Sequence, residues 1–150
     1  MLFVLAAAAA SAFASDDQLI RHQYDEQAAA VNTDNPKRLF ATISPSFTQM
    51  DQSGKTYDFA TYKKGLGQLF AGIKSGTIKF KLGPITYSHG TATVDYTIDG
   101  ELVSAAGPRF HDSEQGRDTW KKVGNTYLEI HEVVKSSKLT PVKAAGGTKV

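Results

Sequence analysis

The chain has 150 residues, 41% hydrophobic and 21% charged, which is the composition of a folded protein with one core and excludes wholesale disorder. It contains no cysteine, so there is no disulfide, no thiolate metal site and no cysteine to acylate, and packing alone must stabilise it. The formal charge of +2 comes from the end of the chain: Lys135, Lys138, Lys143 and Lys149 follow Val134 with no acid among them, leaving 13 basic against 15 acidic residues before them, without the basic–aromatic stripe of a nucleic-acid binder.

Met1 to Ala14 reads as a signal peptide. An apolar run from Leu2 to Ala10 leads to Ala12-Phe13-Ala14, small-bulky-small, and then to polar Ser15-Asp16-Asp17. A permanent span needs about 20 apolar residues, so no membrane anchor is expected. No Lys or Arg precedes the apolar run, and the alternative reading is a buried N-terminal helix. Cleavage after Ala14 implies a periplasmic or secreted protein.

Asp16 and Asp17 open an amphipathic helix of about 16 residues. Its apolar face carries Ile20, Tyr24, Gln27, Ala28 and Val31, with Arg21, Asp25 and Glu26 opposite. Asn35-Pro36 caps a short second helix with Leu39, Phe40 and Ile43 inward, closed by Ser44-Pro45. Phe47 to Tyr57 reads as a hairpin turning at Asp51-Gln52-Ser53-Gly54. Asp58 caps a third helix whose stripe is Phe59, Tyr62, Leu66, Leu69, Phe70 and Ile73. Gly65 and Gly67 within it point to close packing on a sheet.

From Gly76 the period becomes two. Ile78, Phe80 and Leu82 alternate with lysines, Gly83-Pro84 marks a bulge, and Ile85 and Tyr87 continue. His89-Gly90 turns into Ala92, Val94, Tyr96 and Ile98, with Asp99-Gly100 as the next turn signal and a loop from Ser104 to Pro108. Arg117–Val123 and Tyr127–Val134 make two more strands about Gly124-Asn125, and residues 135–150 read as a disordered basic tail. Three helices followed by an antiparallel meander define the α+β class.

This order resembles the NTF2-like cone fold, in particular its small SnoaL-like and DUF4440-like members, over residues 16–134. The residues that carry the resemblance are the first helix ending near Asn32-Thr33-Asp34, the segment Phe47 to Gly54, Gly90 to Val94, and the closing pair from Thr119 to Glu132 with Trp120, Gly124 and His131-Glu132. The resemblance implies three N-terminal helices on a curved, mainly antiparallel sheet. It also implies a conical pocket for a small apolar molecule, with Tyr24, Phe47, Tyr62, Phe70, Phe80, Tyr96 and Trp120 suited to its lining, and a homodimer through the sheet. Members include isomerases, cyclases and dehydratases as well as domains without catalysis, so fold alone does not assign function.

Three residues are candidates for chemistry. Tyr24 is similar in position to the tyrosine that donates to an oxyanion in ketosteroid-isomerase-like members, although a core tyrosine would look the same. Asp118 shares a strand face with Trp120; if that face is inward, its carboxyl becomes an acid or base, and otherwise it is a rim aspartate. His131 lies on the last strand with Tyr127 and Glu129, opposite Leu128 and Ile130, and that apolar pair argues that His131 faces away from the core. Asp51 precedes Gly54 much as a general-base aspartate precedes a glycine in those isomerases, but Gln52 stands where they have proline, and a turn accounts for it. No histidine spacing fits a metal site, and no phosphate or dinucleotide motif is present, so no metal and no cofactor are expected. The preferred reading is a pocket domain that binds a small apolar molecule or serves as an exported interaction module. The alternative is a proton-transfer enzyme acting on a small carbonyl compound.

Overall fold

The computed structural model describes the backbone of residues 3–143 and the side chains of residues 16–143. The side chains of the leader, and the tail from residue 144, lie outside the described residues. Helix α1 spans Phe3–Asn32, so the helix expected from Asp16 is continuous with the alanine-rich backbone before it. Helix α2, Pro36–Phe40, is capped as the sequence indicates: the Asn35 side chain accepts from the Arg38 amide, and Pro36 takes the first turn, where its missing N–H costs nothing. Ser44-Pro45 does not close this helix. It lies inside strand β1, Ile43–Met50, where the pairing register breaks between Ile43 and Thr48 and the proline is accommodated.

Strand β2, Thr56–Asp58, returns antiparallel to β1, and Gly54 at φ 85° makes the turn between them. Helix α3, Phe59–Gly72, starts at Asp58, whose carboxylate accepts the Thr61 amide at 2.8 Å. Ile73, expected at the end of the helical stripe, instead opens strand β3, Ile73–Ser88, and Leu69 is exposed. Gly65 and Gly67 do not mark close packing either, because an added Cβ would meet nothing within 4 Å at either position. Gly65→Ala and Gly67→Ala are therefore each expected to stabilise the fold by about 0.5–1 kcal/mol through helix propensity. Urea midpoints check this, and an unchanged or lower midpoint contradicts it.

Strands β4 (Thr91–Ser104), β5 (Arg109–Val123) and β6 (Thr126–Pro141) are all longer than their periodicity suggested. Asp99-Gly100 is not a turn. Gly100 pairs with Ile78 in mid-strand, and a Cβ there would sit 2.6 Å from the Thr77 carbonyl. Residues 135–141, expected as disordered tail, continue β6, because the segment from Phe110 to Gln115 offers a matching ladder from Pro141 back to Ser136. The bulge expected at Gly83-Pro84 is present as a register shift between Leu82 and Ile85.

The six strands form one sheet in the order β2-β1-β6-β5-β4-β3. Every pairing is antiparallel except β1 with β6, which is parallel. The class is α+β, with one long helix, one short helix and a third that enters only after the β1–β2 hairpin. Helix α1 packs chiefly along β3 and also meets β6, while α3 lies against β1, β2 and β3. Two apolar clusters result. One joins Ile20 and Tyr24 to Ala92, Val94, Tyr96, Trp120 and Tyr127, and the other gathers Ala30, Leu39, Ile43, Phe47 and Phe70. No helix among the described residues is long and apolar enough to cross a membrane.

Candidate functional site

Alternation along β5 turns Asp112, Glu114, Gly116, Asp118 and Trp120 to the helix-covered face of the sheet. On β6 the same face receives Tyr127 and Glu129, and then Glu132 and Val134, all buried. Two residues, not one, lie between Glu129 and Glu132 because Ile130 is an extra residue: Trp120 pairs with Glu129 and Thr119 with His131. This bulge resets the phase of the strand and sets Glu132 directly across from Asp118. It also turns His131 to the other face, where its Nδ1 lies 2.8 Å from Thr48 Oγ1 and 3.0 Å from the Thr48 carbonyl.

Between the two apolar clusters lies a cavity of about 160 Å³. Its apolar wall comes from Tyr62, Leu66, Phe70, Ile78, Phe80 and Leu102, and its polar end from Asp112, Glu114, Asp118, Glu129 and Glu132. No Lys, Arg or His lines it. Asp118, Glu129 and Glu132 are each less than 10% exposed, and each presents an oxygen within 4.8 Å of the other two.

Neutral donors orient this cluster. The Tyr24 hydroxyl donates to Asp118 Oδ2 at 2.7 Å and accepts from Trp120 Nε1 at 3.1 Å. Gln27 Nε2 donates to Glu129 Oε2 at 2.7 Å, and Gln49 Nε2 to Glu132 Oε2 at 2.6 Å. The Tyr96 hydroxyl lies 2.7 Å from Glu132 Oε1 and 2.9 Å from Glu114 Oε1. Tyr96 reaches both because it crosses β5 at Gly116, where a Cβ would fall 2.5 Å from its oxygen. A phenol has one proton. Donating to one of these carboxyls, it accepts from the other, which is then a carboxylic acid.

Burial acts in the same direction. Desolvation, reinforced by the neighbouring carboxylates, holds Asp118 and Glu129 well above the ordinary carboxyl range. Burial also raises Glu132, and it raises Glu114 from 4.5 to about 7. The Tyr24 and Tyr96 phenols are pushed far upward, chiefly by burial, and remain protonated donors.

The residues singled out from sequence separate into three groups. Asp118, Tyr62, Phe70 and Phe80 line the cavity. Tyr24, Phe47, Tyr96 and Trp120 are not in its wall. Tyr24 packs between Phe80 and Trp120, and its hydroxyl donates to Asp118. Phe47 stacks against Tyr62, Tyr96 stands behind the glutamates, and Trp120 is wholly buried. His131 is outside the site because of the Ile130 bulge. Asp51 is a turn residue: its carboxylate accepts from Ser53, Lys55 and Tyr57, and these bonds, the Ser53 hydroxyl first, hold it at about 2.

Sequence reasoning missed Glu114, Glu129 and Glu132. Extending the Asp118–Trp120 alternation backwards reaches Glu114 and Asp112, so that part of the signal was present ahead of the strand expected from Arg117. Glu129 was missed because Leu128 and Ile130 were expected on the core face of β6, which Tyr127 and Glu129 occupy instead, and Glu132 shares that face because of the bulge.

No family model matches the sequence, and no curated protein matches it. Solved structures do match in shape. A scytalone dehydratase-like protein from Novosphingobium aromaticivorans superposes with a TM-score of 0.73 at 14% identity, covering 85% of this chain and 88% of that one. The hexachlorocyclohexane dehydrochlorinase LinA-type3 from Novosphingobium barchaimii gives 0.70 at 9% identity, over 89% and 94%. An uncharacterised protein with a cystatin-like fold from Caulobacter vibrioides gives 0.58 at 20% identity, over 85% and 90%. At these identities the likeness shows the fold alone: a six-stranded sheet closing over a helix-covered cavity, the NTF2-like fold.

Proposed function

We propose that the protein binds a small, largely apolar molecule in the cone cavity and transfers a proton on it, as an isomerase or a dehydratase does. One observation carries this reading: the polar end of the cavity is a set of carboxyls, three of them buried together, with no cationic residue in the lining. Burial raises their proton affinity, which favours a protonated carboxyl beside an ionised one. Such a pair supplies an acid and a base to one bound molecule. Salt bridges would account for buried acids in a purely structural role, and here there are none to make. Two of the similar folds are named dehydratase and dehydrochlorinase, and both names describe eliminations, in which a base removes a proton as a group departs. The binding-module reading favoured by the sequence is the alternative outcome of the test. Export, with removal of Met1 to Ala14, belongs to the same proposal, and an intact mass beginning at Ser15 tests it.

The catalytic test is deuterium incorporation at carbon. The protein is incubated in D2O with a panel of small carbonyl compounds, neutral and amine-bearing, and exchange is followed by proton NMR. The wild-type chain is expected to accelerate exchange on at least one member, and Asp118→Asn and Glu129→Gln to slow it by about 100-fold or more. Saturable binding without exchange on any member would establish the binding module instead.

A further inference from the structure

Asp118 Oδ1 is a buried oxygen with no hydrogen-bond partner among the described residues. Asp118 itself is 2% exposed and lines the cavity. A buried acceptor without a donor is costly, so its position in the cavity wall needs an explanation. The donors near the cluster offer none. Tyr24, Gln27, Gln49 and Tyr96 each direct a hydrogen at the carboxyls, and none of them points at Asp118 Oδ1. The polar end of the cavity is thus dominated by acceptors, and the rest of the wall is apolar apart from the Tyr62 hydroxyl.

From this we propose that the cavity is a site for an organic cation, a primary ammonium group seated among Asp118, Glu129 and Glu132 and carried on a small apolar body that packs against Leu66, Phe70 and Phe80. An ammonium has three N–H donors and no acceptor, which matches three carboxyl groups whose oxygens lie within 4.8 Å of one another. Around a tetrahedral nitrogen with N–H···O bonds of about 2.8 Å, acceptor oxygens stand roughly 4.6 Å apart. Charge agrees with geometry, since five acids and no basic group line the cavity. Size agrees as well: about 160 Å³ is the scale of a cavity that holds a benzene-sized body. In the free protein burial keeps a proton on the Asp118–Glu129 pair. The ammonium takes that proton's place, so its binding expels a proton to solvent. The inference rests on the cavity being a ligand site, as proposed above, and not on proton transfer at carbon.

Calorimetric titration of the full chain at pH 7 tests it with three probes of one size: benzylamine, benzyl alcohol and benzoate. Benzylamine is expected to bind at least tenfold more tightly than benzyl alcohol, and benzoate not at all. Its binding heat should differ between phosphate and MOPS buffers, as proton release requires, and the heat for benzyl alcohol should not. Asp118→Asn is expected to weaken benzylamine at least tenfold and to narrow its advantage over benzyl alcohol. If that variant does not fold, the buffer dependence in the wild-type chain decides alone. Equal affinity for the amine and the alcohol overturns the proposal, as does a buffer-independent heat. So does saturation by magnesium, calcium or manganese ions that benzylamine fails to displace. Amine preference without deuterium exchange would sink the catalytic reading and keep this one, and exchange without amine preference would do the reverse.

Discussion

Trp120→Ala is expected to lower stability by about 3–5 kcal/mol, a large share of the roughly 5–15 kcal/mol that holds a domain together. The indole is 0% exposed and lies edge-on to Tyr24, with ring centroids 5.1 Å apart. Truncation leaves a cavity between α1 and β5 and removes the donor that meets the Tyr24 oxygen at 3.1 Å. That oxygen is the one that donates to Asp118, so the damage reaches the site as well as the core. Trp120→Phe separates the two effects. It keeps most of the volume and loses the N–H, and its cost should be nearer 1–3 kcal/mol. Urea unfolding of both variants measures the difference. A loss below about 1 kcal/mol in the alanine variant would show that Trp120 does not join helix to sheet in the way described.

Stability should decline as pH rises from about 5 to 8, against the usual trend of improvement toward neutrality. In the unfolded chain the carboxyls release their protons near their ordinary values of roughly 4–4.5. In the folded chain Asp118, Glu129 and Glu132 retain theirs to higher pH, and Glu114 does so to about 7. Between those limits the folded state binds more protons. The stabilisation is complete below the unfolded values and is lost as pH climbs through the folded ones, at about 1.4 kcal/mol per pH unit for each proton retained. At the acid end the sign reverses. Asp51, held at about 2 by its turn bonds, and Asp95, lowered by Arg117 and Lys135, give stability that disappears as pH falls below about 4. The maximum therefore belongs near pH 4.5–5 on this order-of-magnitude reasoning. Glu132→Gln, which keeps an acceptor for Tyr96 and removes one titration, should flatten the decline and raise stability at pH 8. Urea midpoints at pH 5, 6.5 and 8 provide the check, and a midpoint that rises steadily to pH 8 in the wild-type chain would refute the account of the carboxyl cluster.

Much of the architecture was legible because it depends on local chemistry. Asn35-Pro36 and Asp58 cap helices wherever those helices pack, since the bonds they make reach no further than the next turn. The hairpin at Asp51 to Gly54 follows from a side chain that can hydrogen-bond its own turn and from a glycine at positive φ. The period-two run of β3 put Phe80 on one face with Ile78 and Leu82, and the helical stripe of α3 put Phe70 inward; both lie in the cavity wall that the fold resemblance implied. What failed was the length of the strands. Residues 135–141 have no apolar alternation of their own and hold as strand because β5 lies beside them, a partner remote in sequence.

The features the structure opened on, one core, no disulfide and an α+β chain without a basic binding face, were set by composition and period, and Asp118 was placed on the Trp120 face by alternation alone. The site itself was decided by tertiary structure. On β6 the buried face carries Tyr127 and Glu129 where Leu128 and Ile130 were expected, and the extra residue at Ile130 then shifts the phase so that Glu132 joins that face and His131 leaves it. Gly116 is silent in sequence, yet its missing side chain lets Tyr96 cross the strand to two glutamates. The carboxyl cluster exists only where β5 and β6 pair across a bulge, and its proton affinity comes from a burial that no single strand can provide.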